Sequence, residues 1–365
     1  MPDEKITTRF NLPFNTYDIF GYIIPAATFL LGCIFYEYIL YNQHIKPDTL
    51  YLPLLYIVNI AINSALLNLW VIWLLYFLLF LYITYLVGHI VSSASSLLID
   101  RILIFKCYGY PYERLLRIRS NLYPYSSSYY KGLFFWVNAY LVLRYLNITY
   151  YNMQILKDIA NILGIFIIFI VIAKVFSSHI RNHTNNCLYE YFYIGVGRHI
   201  RRIAYYILVN IFPLPHNIIT SCMSNFINSN ETFDDTFRDK YFNSFKRHFK
   251  YDPCEARSNN YWFAYCYVAD QSSIFNRMIT NWLHLYSFSR NLSMAFYMSF
   301  IYCFFSIWYN IVCKECGNFG YVEIIPIIYL ILSLIMLFRF YYLYHSYYSK
   351  FILRSFVYLS SINKV

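Results

Sequence analysis

His89, Ser93, Ser96 and Asp100 recur at i, i+4, i+7 and i+11, a spacing that puts an imidazole, two hydroxyls and a carboxylate on one helical face. Such a stripe can line a pore mouth or a ligand path, where side-chain oxygens replace the hydration of a passing solute. It can equally form a helix–helix seam in which serines hydrogen-bond across a close contact. Gly88, Ser92 and Ser96 add a small-xxx-small row of the kind that lets two backbones approach. His89 and Asp100 are also the only footing in this stretch for an enzymatic reading, that of a lipid-modifying enzyme.

Two charges fall within apolar stretches. Glu37 sits among Tyr36, Tyr38 and Tyr41, so its carboxylate is either at a membrane boundary or paired. Arg144 lies in the middle of GLFFWVNAYLVLRYLNITYY, where a guanidinium needs a partner or a wet cavity, unless that segment is an amphipathic helix lying in the interface. A third cluster mixes rings and cations: Phe245, Lys246, Arg247, Phe249 and Lys250. It suits stacking and phosphate contact alike, from a nucleotide-type ligand or an anionic lipid, and its bland form is a solvated face beside headgroups.

Other chemistry is thinly supported. Cys313 and Cys316 form one C-x-x-C pair, whereas structural zinc takes four ligands. His179, His183, His199 and His216 match no zinc spacing. GVGRH (Gly195 to His199) lacks the lysine of a phosphate-binding loop. G-x-S-x-G and H-E-x-x-H are both missing from the sequence. The expectation is therefore no metal, no cofactor and no enzyme.

The elements that must position these residues are apolar. Leu66 to Val87, LLNLWVIWLLYFLLFLYITYLV, contains no charge, glycine or proline. A helix of that length spans roughly 30 Å, the thickness of a bilayer's hydrocarbon core. Helical pattern continues past it to Lys106, which would give a rod of about 60 Å, twice what a bilayer needs. Across its 365 residues the chain is 59% hydrophobic, 22% aromatic and 13% charged; soluble domains carry about 25% charged residues. Mean hydropathy is +0.42. The 43 tyrosines suit a membrane boundary, with buried ring and wet hydroxyl. A net charge of +11 is what cytoplasmic Lys and Arg give a membrane protein, so nucleic acid is not the expected partner. The nine cysteines are scattered, without the pattern of a disulfide framework.

These features predict an all-α, polytopic membrane protein of about six transmembrane helices, or four if the two middle ones are dropped, with a helical cytoplasmic module. Residues 1–18 are a polar cytoplasmic lead and the first span, Ile19 to Tyr41, an uncleaved anchor. The transmembrane region runs over 19–176 and includes the middle pair, Leu133 to Tyr151 and Ile159 to Phe176. The module covers 177–291, a transmembrane hairpin 292–344 (Leu292 to Val312, then Val322 to Tyr344), and a cytoplasmic tail 345–365. In this topology both termini are cytoplasmic, and the external links carry only Lys46, Lys157 and Lys314 among the cations. Charge bias does not choose between four spans and six, because the middle pair enters or leaves together.

Three islands, YDIFGYIIP (Tyr17 to Pro25), GHIVSSASSLLIDR with the GYP turn after it, and RMITNWLHLYSFSRNLSMAF, resemble a family of uncharacterised bacterial multipass proteins, some encoded beside anti-phage defence genes. The resemblance implies an inner-membrane protein with a cytoplasmic sensing module. The expected partners are the lipid bilayer, further copies of the chain in a homo-oligomer, and a cytoplasmic protein or nucleotide-type ligand.

Overall fold

The computed structural model describes residues 18–42, 70–108, 110–118, 124–149, 157–168, 171, 232–253, 259–314, 322 and 324–362. The histidines 179, 183, 199 and 216, the GVGRH run, Lys46 and Cys316 lie outside the described residues. All described secondary structure is helical, with no strand among the described residues. A π-helical turn, Ile19–Ile23, leads into α1 (Ile24–Asn42). Next come α2 (Trp70–Ser95) and a π-helical segment, Ser96–Tyr108. They are followed by α3 (Pro111–Leu115), α4 (Pro124–Thr149) and α5 (157–168). The remainder is α6 (Asp235–Phe249), α7 (Asn259–Gln271), α8 (Ser273–Lys314), α9 (Ile325–Tyr342), a second π-helical segment Leu343–Ser349, and α10 (Lys350–Ile362).

Among the described residues three helices are long and apolar enough to cross a membrane, over Ile19–Leu40, Leu74–Ile104 and Ile325–Ile362; a fourth apolar stretch, Gly132–Leu146, is shorter. In the second of them Leu74, Leu75, Phe77, Leu78, Leu79 and Tyr82 are all exposed, so the side chains point out on nearly every side. Apolar surface on that scale needs lipid or another apolar partner.

The chain divides into two compact units. The first comprises the π turn and α1, α2, residues 280–303 of α8, and α9 up to Tyr341. Its helix directions follow from paired contacts. Gly21 meets Asn291 and Glu37 meets Tyr302, so α1 and α8 run parallel. Phe296 meets Tyr329, Ser293 meets Ser333 and Tyr286 meets Phe340, so α8 and α9 run antiparallel, as the short link between them predicts. Parallel α1 and α8 require an odd number of crossings between them if both span, which one helix or three would satisfy.

The second unit is held by aromatic packing. The sequence of α6 places Tyr241, Phe245 and Phe249 at i, i+4 and i+8; Tyr241 and Phe245 are buried, and Lys246, Arg247 and Lys250 are exposed. Asp235 in its first turn and Lys246, Arg247 and His248 in its last complement the helix dipole. It ends at Lys250, whose φ of 60° puts a lysine in the left-handed cap region usually given to glycine. Phe356 of α10 lies 5.4 Å from Tyr241, 6.2 Å from Phe245, 6.0 Å from Phe249 and 5.3 Å from Tyr267 of α7, by ring centroids. Residues 350–362, read from sequence as part of a tail, therefore supply a central ring of this unit: Ile352, Leu353 and Phe356 are buried while Arg354 is exposed. In the other direction α3 is fastened to the start of α6. Phe233 N–H donates to the Leu115 carbonyl at 3.1 Å, and Arg117, at φ 49°, pairs with Asp235 at 3.0 Å.

Candidate functional site, a polar seam among apolar helices

Asn291 is the junction of the first unit. Its amide donates to the Gly21 carbonyl at 2.7 Å and lies 3.4 Å from Ser92 Oγ; its carbonyl oxygen accepts from Ser95 Oγ and, at 3.2 Å, from Arg290 Nε. One fully buried side chain thus ties α8 to the turn before α1 and to α2. In an apolar surrounding these groups have no water to fall back on, so satisfying them fixes the register of three helices. Farther along, Ser293 and Ser333 exchange hydroxyl-to-carbonyl bonds at 2.8 Å in both directions between α8 and α9.

The close approach that this network needs is set at Gly88. A Cβ there would stand 2.6 Å from the Tyr22 carbonyl oxygen and 2.8 Å from its carbonyl carbon. The packed face of α2 is Thr84, Gly88, Val91 and Ser95, all buried. That face is set about one residue away from the His89, Ser93, Ser96 and Asp100 stripe. His89 is exposed and lies against aromatic rings, 4.4 Å from Tyr22 in a stack and 4.6 Å from Tyr85 edge-on; Ser93 is exposed. Ser96 and Asp100 are half-buried and belong to the second unit. The four residues of the stripe therefore do not gather at the seam; Ser92, Ser95 and Asn291 do. Asn291 was not singled out by the sequence because it follows Arg290 in the polar stretch SFSRNLS and reads as the end of the module 177–291; the structure instead groups residues 280–303 of α8 with the first unit.

Of the two charges that fall within apolar stretches, Glu37 is fully buried and its carboxylate accepts from the Tyr302 hydroxyl. Cys33, one turn earlier, and Cys303 are also buried there, and Tyr329 Oη donates to the Gly32 carbonyl at 3.0 Å. Arg144 is partly exposed on α4 and donates to Asn161 Oδ1 of α5 at 3.4 Å.

The basic-aromatic cluster separates by face, which corrects its reading as one mixed surface. Phe245 is fully buried and Phe249 packs on Phe263 and Phe356, while Lys246, Arg247 and Lys250 point to solvent. Helical geometry enforces this, since positions 245 and 249 lie on one side and 246, 247 and 250 turn away from it. Lys246 is moreover paired with Asp252 at 2.7 Å. Burial, aided by neighbouring Arg247, lowers the His248 pKa and so favours the neutral ring. At α3, burial raises the Glu113 carboxyl above the ordinary carboxylate range, against the Tyr110 N–H and the Tyr112 hydroxyl that donate to it. Burial, then the charge of Glu113, raises the Tyr112 phenol.

No group of three or more His, Cys, Asp or Glu is placed to hold a metal ion among the described residues. The seam's chemistry is hydrogen bonding between helices; it assembles no nucleophile with a base. Comparison with family models, curated proteins and solved structures gave no match.

Proposed function

We propose that this chain is a multipass inner-membrane effector in which α1, α2, α8 and α9 are the spans and the aromatic module of α3, α6, α7 and α10 is the part that receives a cytoplasmic signal. The observation that carries the reading is Asn291, a buried polar junction inside a set of helices otherwise built for lipid. Intramembrane polar groups are costly, and an asparagine bonded across helices fixes how those helices pack, so a rearrangement of the spans has to break it. The resemblance to multipass proteins, some of them encoded beside anti-phage defence genes, supports the membrane location and the cytoplasmic sensing module of this reading. In this reading the spans number four. The Gly132–Leu146 stretch has 15 residues, about 22 Å of helix against the ~30 Å required. Lys157 then lies on the same side as Arg117, and cysteines placed at the two positions share one pattern of labelling by an impermeant reagent; opposite patterns restore the six-span form.

Conduction is tested by dye uptake or conductance in cells expressing the chain. Permeability rises with expression, and Asn291→Leu, which replaces the polar junction with an alkyl group, abolishes the rise while the protein remains in the membrane. A membrane-inserted wild type that never alters permeability removes the effector reading. The second reading is a non-conducting scaffold or sensor for soluble partners. It is favoured by the closed bonding of the seam, in which Ser95, Asn291 and Gly21 use one another rather than a solute.

A further inference from the structure

The inner face of α7 is accounted for: Asn260, Ala264 and Val268 are buried in the second unit. Its outer face is not. Trp262 is 61% exposed, and its indole stacks on Tyr265 with centroids 5.1 Å apart and planes 15° apart. Cys266 is exposed beside them. After Ser272 the apolar surface resumes on the first turns of α8, where Ile274 is 66% and Met278 45% exposed. An exposed indole stacked on a half-buried phenol is poor surface for water, but each ring has an apolar body and a polar tip, the chemistry of the headgroup region of a bilayer.

We propose that this face, Trp262, Tyr265 and Cys266 of α7 with Ile274 and Met278 of α8, lies in the bilayer interface, with the rings at the boundary between headgroups and acyl chains. Two observations select lipid as the occupant. First, the described residues include three helices long and apolar enough to span, so a bilayer is the neighbour this chain is built for. Second, Gln271 precedes Thr280, the first residue of α8 that belongs to the first unit, by only nine residues, so the face is tethered close in sequence to the helices built for lipid. The face also carries one exposed charge of each sign, Asp270 and Arg277. Its affinity therefore comes from apolar area, with little dependence on headgroup charge. The inference rests on the chain being membrane-embedded and is independent of conduction.

The test uses the full chain in phosphatidylcholine nanodiscs, with and without phosphatidylglycerol, containing a lipid spin-labelled near its headgroup. Trp262 is one of six tryptophans, so its signal is the emission of wild type minus that of Trp262→Phe. That difference emission is quenched by the spin-labelled lipid, equally in both lipid mixtures. In unsubstituted protein, Cys266 is followed by peptide mass spectrometry and reacts much more slowly with a charged, water-soluble maleimide in nanodiscs than in the unfolded chain. Absence of lipid quenching overturns the proposal. Slow Cys266 without quenching means a protein covers the face, and fast Cys266 means that water does; either result also overturns it. Because incorporation into nanodiscs is scored separately, failure here leaves the reading of the spans untouched.

Discussion

Gly88→Ala probes the seam at its tightest point. The added methyl would sit 2.6 Å from the Tyr22 carbonyl oxygen, whereas carbon–oxygen contacts between helices settle at about 3.3–3.6 Å. The two segments must part by roughly 0.7 Å to restore such a contact. The clash is with backbone, so no rotamer change relieves it, and overpacking of this kind costs about 1–3 kcal/mol. Ser95, two turns along α2, then loses its aim at Asn291, and interhelical bonds in membranes are worth about 0.6–1.7 kcal/mol each. Against this, alanine gains about 1 kcal/mol over glycine in helix propensity. The net is a destabilisation of about 1–3 kcal/mol. Gly32→Ala is the internal control. Its nearest neighbours are the ends of the Tyr329 and Ser299 side chains, at 3.2 and 3.4 Å, so the small steric cost and the propensity gain nearly cancel, leaving a change within about 1 kcal/mol. Thermal unfolding of the purified chain in nanodiscs, followed by circular dichroism, reads both. Gly88→Ala melting at or above wild type, or Gly32→Ala proving the worse of the two, would refute the reasoning.

The remaining predictions concern the other buried contacts. Tyr302→Phe and Glu37→Gln are non-additive in a double-mutant cycle: Tyr302→Phe alone destabilises by about 1–3 kcal/mol because it strips a donor from a buried carboxylate, and by much less in the Glu37→Gln background. Additive effects would mean that the two side chains do not act together. Phe356→Ala empties the ring cluster of the second unit and costs about 3–5 kcal/mol, read as protease sensitivity appearing within 232–279; a protease-resistant variant would deny α10 its place in that core. Glu113 has a folded-state pKa above its unfolded value, so the folded state holds the proton more tightly. Its contribution to stability is present in acid and is lost as pH rises from the ordinary carboxylate range through the raised folded pKa. Glu113→Gln flattens that portion of the stability–pH curve, and an unchanged slope would exclude Glu113 as its source.

What the sequence makes legible here follows from how many residues share each signal. The span in α2 rests on some twenty apolar residues acting together, so it survives any local exception. In α6 the cluster read from the sequence already contained Phe245 and Phe249 of the packed side, but not Tyr241, which the structure buries with them. The seam rests on single residues. Neighbouring positions on a helix differ by about 100°, so a polar stripe starting at His89 and a packed stripe through Gly88 look alike in one dimension. The glycine itself was the better guide, because only a close backbone approach needs it. The last helix, α10, hides behind Lys350, Arg354 and Lys364, whose charge reads as a cytoplasmic tail, although Ile352, Leu353 and Phe356 already mark an apolar side. Glu37 was visible as a charge, but its partner Tyr302 is 265 residues away and no local pattern links them.

The account rests most heavily on lipid being the solvent of α1, α2 and α9. Membranes from cells expressing the full chain can be washed at alkaline pH in carbonate and then extracted with detergent. The chain remains in the pellet through the wash and enters solution only with detergent; recovery as a monodisperse species in plain aqueous buffer would contradict the assignment of the spans and every role derived from it.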